Sequence, residues 1–160
     1  MTSRLPASGL SLLTSFLVAA SVVWPLLLGA AVWARDGRSP APVWTNIVYL
    51  AASRVCHQIP ERTFSTAGVE WPVCGRCSGL YLAAPVGALA AVWPVRRRLR
   101  TSRLRWVLAA AALPTALSVA LEWTGVAHGT SLGRALMALP LGAAIAYTVV
   151  AMAGADDPIG

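Results

Sequence analysis

The sequence contains no lysine, and all 13 of its basic residues are arginines. This absence excludes the phosphate-binding lysine of a P-loop and any catalysis through a lysine Schiff base. Charged residues make up only 12% of the chain and hydrophobic residues 57%, which is unlike an ordinary soluble domain. The chain also lacks the H-E-x-x-H and G-x-G-x-x-G patterns of metalloproteases and dinucleotide-binding proteins.

Four apolar stretches are each long enough to cross a bilayer, which takes about 20 residues. They cover approximately residues 9–34, 77–95, 106–126 and 135–153. We therefore predict an all-α fold in which residues 1–160 form a single membrane domain, a bundle of four transmembrane helices. The first stretch also resembles a secretory signal peptide, but its apolar run is about twice the usual length, which favours a retained helix.

A run of arginines in the link between the second and third stretches sets the expected orientation in the cell membrane. The positive-inside rule places this run in the cytoplasm and explains it without a nucleic-acid partner. Both termini are then cytoplasmic, and the loop at residues 35–76 is extracytoplasmic, although it carries five arginines of its own. We expect the lipid bilayer as the partner, and the sequence identifies no protein partner. The run consists of Arg96, Arg97, Arg98, Arg100, Arg103 and Arg105.

All three cysteines lie within 22 residues, in the loop between the first two apolar stretches. Cys56 is followed by His57, and Cys74 and Cys77 form a C-x-x-C motif after a further 16 residues. This spacing is close to that of zinc sites built from two C-x-x-C pairs. We predict a metal site formed by Cys56, His57, Cys74 and Cys77, with His128 as the alternative fourth ligand. Three thiolates and an imidazole suit zinc best, with iron or copper as alternatives.

The same loop is expected to contain a short helix and a polar segment. Residues 43–55 place apolar side chains on one helical stripe but are too few to cross the membrane, so we predict a helix lying along the interface. Residues 63–71 are polar and should form a loop or a short hairpin. Cys74 and Cys77 then lie at the start of the second transmembrane helix, where the helix dipole favours thiolates.

Glu122 is the only acid inside an apolar stretch. A carboxylate at that depth is costly, so we expect it to be paired or functional, and it is the candidate catalytic residue. The four spans bring Glu122, His128 and Arg134 to the same membrane face as the cysteine loop, which also carries Arg62 and Arg76. The three arginines are expected to be supporting polar groups, although pairing with nearby acids would also explain them.

Glycines at every fourth position indicate where two helices could approach closely. Gly125, Gly129 and Gly133 have this spacing. The last two fall in the link before the fourth stretch, where a glycine more often only turns the chain.

The central motif resembles that of a known family. Written with x for any residue, it reads C-H-Q-x-P-x-R-x-F from Cys56, then Gly68, then P-V-C-x-R-C-x-G-x-Y ending at Tyr81. It is similar to an uncharacterised family of small prokaryotic multi-pass membrane proteins, known only as a domain of unknown function. Glu122 and Arg134 match the family's later acid and arginine, although this chain has Glu-Trp where family members often have Asp-Gly. The resemblance implies a membrane protein with this Cys/His signature and implies no reaction.

Three interpretations of the cysteine loop stay open at this point. In the first, the loop binds a metal ion, structural if four protein ligands close the site and catalytic if one position is open. In the second, Cys74 and Cys77 are the dithiol of a membrane thiol–disulfide oxidoreductase, and Cys56 resolves it or faces the substrate. In the third, the protein is a structural or accessory membrane protein with one disulfide. Ligand type and spacing favour the metal site, and the sequence does not decide whether the protein is an enzyme. Ion transport through the bundle is a weaker fourth interpretation, based on Glu122 alone.

Overall fold

A computed structural model of the chain describes residues 12–36, 40–93, 101–126 and 128–154. The elements in chain order are α1 (Leu12–Arg35), α2 (Val43–Ser53), β1 (Thr63–Thr66), β2 (Val69–Cys74), α3 (Gly75–Val92), α4 (Thr101–Trp123) and α5 (Ser131–Ala153). A 3-10 turn at Pro60–Arg62 precedes β1. Helices dominate these residues and the two strands form one small hairpin, so the predicted all-α class is confirmed.

Four helices are long and apolar enough to cross a membrane, and their mean hydropathies lie between 1.2 and 2.1. At a rise of about 1.5 Å per residue they cover roughly 27–36 Å, which matches a hydrocarbon core of about 30 Å. The predicted set of four spans is confirmed, with ends a few residues from those expected. Of the arginine run, Arg103 and Arg105 lie in the first turns of α4, and the other four arginines lie outside the described residues. The four spans are Leu12–Arg35, Gly75–Val92, Arg103–Trp123 and Ser131–Ala153.

Helices α3 and α5 run parallel and form the most extensive helix pair. Glycines of α3 lie directly against the backbone of α5 at a constant sequence offset. A methyl group added to any of these glycines would overlap the backbone carbonyl of the partner residue. The missing side chains therefore let the two backbones touch, which is the small-residue packing that holds membrane helices together. The pairs are Gly75 with Ser131, Gly79 with Ala135 and Gly87 with Ala143.

Helix α2 is fastened to the end of α1 by one arginine. Arg35, the last residue of α1, donates a hydrogen bond of 2.9 Å to Thr45 Oγ1 and a second one to the side-chain oxygen of Asn46. Its guanidinium carbon also lies 3.8 Å from the centre of the Tyr49 ring, a cation–π contact. These contacts hold the first part of α2 against the end of α1, and Cys56 follows the end of α2.

The hairpin of β1 and β2 leads directly into α3. Thr63 pairs with Cys74 and Thr66 pairs with Val69 in an antiparallel register. The two turn residues, Ala67 and Gly68, both have positive φ, as a two-residue type I′ turn requires. The segment expected as a loop or short hairpin is therefore a hairpin.

An apolar core lies beneath this loop and joins α1, α2 and β2. Trp24 of α1 and Tyr81 of α3 pack against it, with ring centroids 6.2 Å apart and planes at 87°. Edge-to-face contacts of this kind add about 1 kcal/mol to the burial of the rings. Cys56 belongs to this core, so its thiol is held by packing as well as by the backbone. The other buried members are Leu28, Ala31, Val48, Ala52 and Val73.

Candidate metal centre

Cys56 is placed by the turn that ends α2. The amides of Val55 and Cys56 both donate to the carbonyl of Ala52, at 3.1 and 2.9 Å. The turn directs the Cys56 side chain into the apolar core, where the residue is only 6% exposed. A thiol at that depth has a fixed position, as a ligand or a resolving group requires.

Gln58 holds the loop in the shape that brings Cys56 to β2. Its side-chain amide donates to the carbonyls of Tyr49 and Pro72, at 3.0 and 2.9 Å. Its φ of 50° lies in the left-handed region, which costs a non-glycine residue about 1 kcal/mol or more. The two hydrogen bonds offset that cost. Gln58 has no role predicted from the sequence, where only its place in the central motif marks it.

The three thiols converge on one point. The Sγ atoms of Cys56, Cys74 and Cys77 all lie within 4.8 Å of one another, and all three cysteines are free thiols. Cys74 is the residue before α3 and Cys77 is in the first turn of that helix. The amide of Cys74 donates to Cys56 Sγ at 3.2 Å. Ligands of one tetrahedral zinc ion at about 2.3 Å have sulfurs about 3.8 Å apart, so the cluster is near that geometry.

The environment of Cys74 favours its thiolate. A hydrogen bond from the Cys77 thiol is the main cause that lowers the pKa of Cys74 below its usual value. Burial opposes this change in pKa, and the amides of Cys77 and Arg76 and the Cys56 side chain support it. Cys74 therefore ionises more easily than an ordinary cysteine, as both a metal ligand and a redox thiol require.

Neither histidine joins the three thiols. Among the described residues, the group of potential ligand atoms within 4.8 Å of one another contains only the cysteines. His57 is exposed and contributes to the wall of the adjacent cavity. His128 is exposed in the link between α4 and α5. The structure therefore brings together three of the four predicted ligands of the metal site and leaves both candidates for the fourth ligand at a distance.

Glu122 is held by two arginines from two other helices. Its Oε1 lies 2.9 Å from Arg76 Nη2 and 2.9 Å from Arg134 Nε. The three side chains are 13%, 19% and 9% exposed. Arg134 Nη1 also reaches the carbonyl of Glu61 at 3.5 Å, which ties α5 to the loop. Glu122 thus meets two of the three predicted supporting arginines and is not part of the thiol cluster, so it positions Arg76 and Arg134 beside that cluster.

A cavity of about 180 Å³ opens beside the cysteine cluster. It lies between the end of α2, the 3-10 turn, and the first turns of α3 and α5. All three cysteines and all three predicted supporting arginines line it. The cluster is therefore accessible to a small molecule from one side. The lining residues are Val55, Cys56, His57, Gln58, Ile59, Arg62, Cys74, Arg76, Cys77 and Arg134.

Comparison with known proteins identifies relatives without a described activity. The family described as "Predicted membrane protein (DUF2085)" matches residues 56–148, from the first cysteine to the middle of α5. An uncharacterised protein of Methanocaldococcus jannaschii is 31% identical over 81 residues, which are 49% of this chain and 51% of that protein. An uncharacterised protein of Methanothermobacter thermautotrophicus is 36% identical over 93 residues, 58% of this chain and 81% of that protein. The chain thus spans about half of the first relative and about four fifths of the second. No solved structure matches the chain.

Proposed function

The chain belongs to the family described as "Predicted membrane protein (DUF2085)", as the resemblance of its central motif predicted, and we propose that its three cysteines bind one zinc-like metal ion. The observation that carries this proposal is the convergence of the Cys56, Cys74 and Cys77 sulfurs within 4.8 Å. They come from a helix end, a strand end and a helix start, so three separate parts of the fold build one site.

The ligand chemistry supports zinc, with iron or copper as the alternatives. Three thiolates form a soft donor set, which zinc, iron and copper(I) accept and which magnesium and calcium do not. A metal ion would use all three sulfurs in one coordination sphere. A single disulfide would use two sulfurs and leave the third as an unpaired thiol.

If the three cysteines hold the ion, a fourth ligand could enter from the cavity, which all three cysteines line. Zinc sites with three protein ligands and one open position are typical of catalysis, whereas closed sites are typical of structure. The open position here would accept water, a substrate or His57 after a small movement of the loop. We therefore favour a metal centre that handles a ligand over one that only fastens the loop.

We further propose that the centre faces the extracytoplasmic side of the cell membrane. The support is the arginine run at the opposite end of α3 and α4, which the positive-inside rule assigns to the cytoplasm. Intact cells carrying Ser65→Cys in the exposed hairpin should be labelled by a membrane-impermeant maleimide above the level of cells carrying the wild-type protein, and cells carrying Arg103→Cys should not. The reverse pattern would overturn the orientation.

The metal proposal is tested by metal analysis of protein purified in mild detergent without chelator. We expect about one metal ion per chain, with thiols that react only after chelation. Cys56→Ser, Cys74→Ser and Cys77→Ser should each remove the metal, because each deletes one of three ligands. Metal-free wild-type protein would contradict the proposal.

The second candidate is a dithiol oxidoreductase, which the lowered pKa of Cys74 at the start of α3 favours. Here Cys74 and Cys77 would form a reversible disulfide as they pass two electrons and two protons to a partner. Cys56→Ser separates the candidates, because it leaves the C-x-x-C pair intact. Reversible loss of two thiols in that variant, without metal in the wild type, would support the dithiol.

A further inference from the structure

The charged side chains that line the cavity beside the cysteines are all basic. Arg62, Arg76 and Arg134 line it, and among the residues that the structure describes no acidic side chain does so. Glu122 lies behind Arg76 and Arg134 and neutralises one of the three positive charges. Three thiolates around a divalent metal ion would neutralise one more. The cavity therefore has a positive formal charge both when the thiols are neutral and when three thiolates surround a divalent metal ion.

These arginines have donors that the described residues do not use. Arg76 Nε and Nη2 are buried without a hydrogen-bond partner, although Nη2 lies at ion-pair distance from Glu122. The side chain of Arg62 is exposed and has neither a hydrogen-bond partner nor an ion-pair partner within the described part of the chain, whereas its backbone amide donates to the carbonyl of Ile59. Because a guanidinium carries five N–H donors in a planar fork, it pairs best with an anion that offers two oxygens.

We propose that this cavity binds a small oxyanion of the phosphate or sulfate type between the three arginines. The cavity of about 180 Å³ has room for such a group. Glu122 fixes Arg76 and Arg134, and Arg62 approaches from the 3-10 turn. This inference rests on the proposed function in one respect: the anion would lie beside the open position of the metal and so defines the ligand class of that centre.

Calorimetric titration of the detergent-solubilised, metal-loaded protein with inorganic phosphate, and separately with sulfate, tests the proposal. Chloride concentration is held constant so that only the oxyanion changes. We expect saturable binding that Arg62→Ala weakens about tenfold or more, the usual effect of losing a charge-assisted hydrogen bond. The affinity of Arg62→Lys should lie between those of wild type and Arg62→Ala, because lysine keeps the positive charge but lacks the planar guanidinium with its paired donors.

Arg54→Ala is the matched control. Arg54 lies in the same loop and is exposed, but it does not line the cavity. Its substitution removes the same positive charge as Arg62→Ala does, at a position outside the proposed site. Its affinity for phosphate should stay within about twofold of wild type, as expected for a surface charge that is screened by salt. Equal weakening by both substitutions, or no binding by the wild type, would overturn the proposal.

A phosphate group at this membrane face has two sources, a free anion or a lipid headgroup. The titration is therefore repeated in nanodiscs of phosphatidylcholine and in nanodiscs that also contain phosphatidic acid. Phosphate binding that is equal in both identifies the free anion. If phosphatidic acid abolishes the binding of phosphate to the wild type, the natural ligand is the lipid headgroup. Both results support the oxyanion site formed by the arginines. Metal content of Arg62→Ala is measured alongside, so that a loss of metal is distinguished from a loss of anion binding.

Discussion

Two faces of α3 are built on different principles. One face presents Gly75, Gly79 and Gly87 to the backbone of α5, where no side chain separates the helices. The other presents Cys77 and Tyr81 to α1 and β2, where thiols and aromatic rings fill the space. The first face is held by close backbone contact and the second by the geometry of large and polar side chains.

The two faces depend on each other because of their register. Gly75 meets Ser131 at the start of both helices, which places Arg76 of α3 near Arg134 of α5. Only at that short distance can both arginines reach one oxygen of Glu122 from α4. The glycine face therefore determines the arrangement of the arginines beside the cysteines. Substitutions that affect one face of α3 more than the other test whether the two faces depend on each other.

Gly79→Ala should have the largest effect on the free energy of unfolding. The added methyl group would overlap the carbonyl of Ala135, and backbone cannot move aside as a flexible side chain can. We expect a loss of about 3 kcal/mol, the upper part of the usual range for overpacking. Thermal or denaturant unfolding of the protein in detergent provides the measurement.

Gly29→Ala is the control for that variant. Gly29 is in the middle of α1, and a methyl group there meets nothing within 4 Å. Because alanine is the better helix former by about 0.5–1 kcal/mol, this variant should be as stable as wild type or slightly more stable. Destabilisation by both substitutions to a similar degree would mean that the contact with α5 is not what makes Gly79 necessary.

The glycine face could not be predicted from the sequence, whereas the grouping of the cysteines could. Cys74 and Cys77 lie at one helix start, and Cys56 precedes them in the same loop at a spacing close to that of zinc sites, so their convergence could be predicted. A glycine only permits another helix to approach closely and does not identify which helix that is. The spacing of Gly125, Gly129 and Gly133 indicated an approach in another place, but Gly125 has positive φ and lies in open space, and Gly129 passes beside Glu122.

Glu122→Gln should have the second largest effect, and it tests the polar side of the comparison. The variant keeps the size of the side chain but leaves Arg76 and Arg134 without a counter-charge at low exposure. We expect a loss of about 2 kcal/mol in the free energy of unfolding, below the range for fully buried pairs because the carboxylate is partly exposed.

A double substitution gives this prediction its control. If Glu122 acts by pairing with Arg134, the double variant Glu122→Gln/Arg134→Gln should lose less free energy of unfolding than the two single variants lose in sum. The non-additive part is the interaction energy of the pair. Fully additive losses would show that the ion pair contributes nothing and that Glu122 matters for another reason.

Pairing of Glu122 was within reach of sequence reasoning, and the shape of the loop was not. A single acid among arginines at one membrane face has few partners to choose from. By contrast, Gln58 adopts an unfavourable φ because its amide bridges Tyr49 and Pro72, residues 9 and 14 positions away. Neither propensity nor periodicity encodes such a bridge, because it depends on how α2 and β2 are placed in space.

Thr115→Val should have the smallest measurable effect, and it tests how α4 is attached away from the ion pairs. Thr115 donates a hydrogen bond of 2.8 Å to the carbonyl of Met137 on α5. Hydrogen bonds between membrane helices contribute about 0.6 kcal/mol on average, so we expect a loss of that size. Thr148→Val is the matched control, since Thr148 donates at 2.8 Å to Ala144 within its own helix and its loss separates no helices. A loss that is equal for the two threonines would assign the effect to the hydroxyl itself, and α4 would then depend on Glu122 rather than on Thr115 for its attachment.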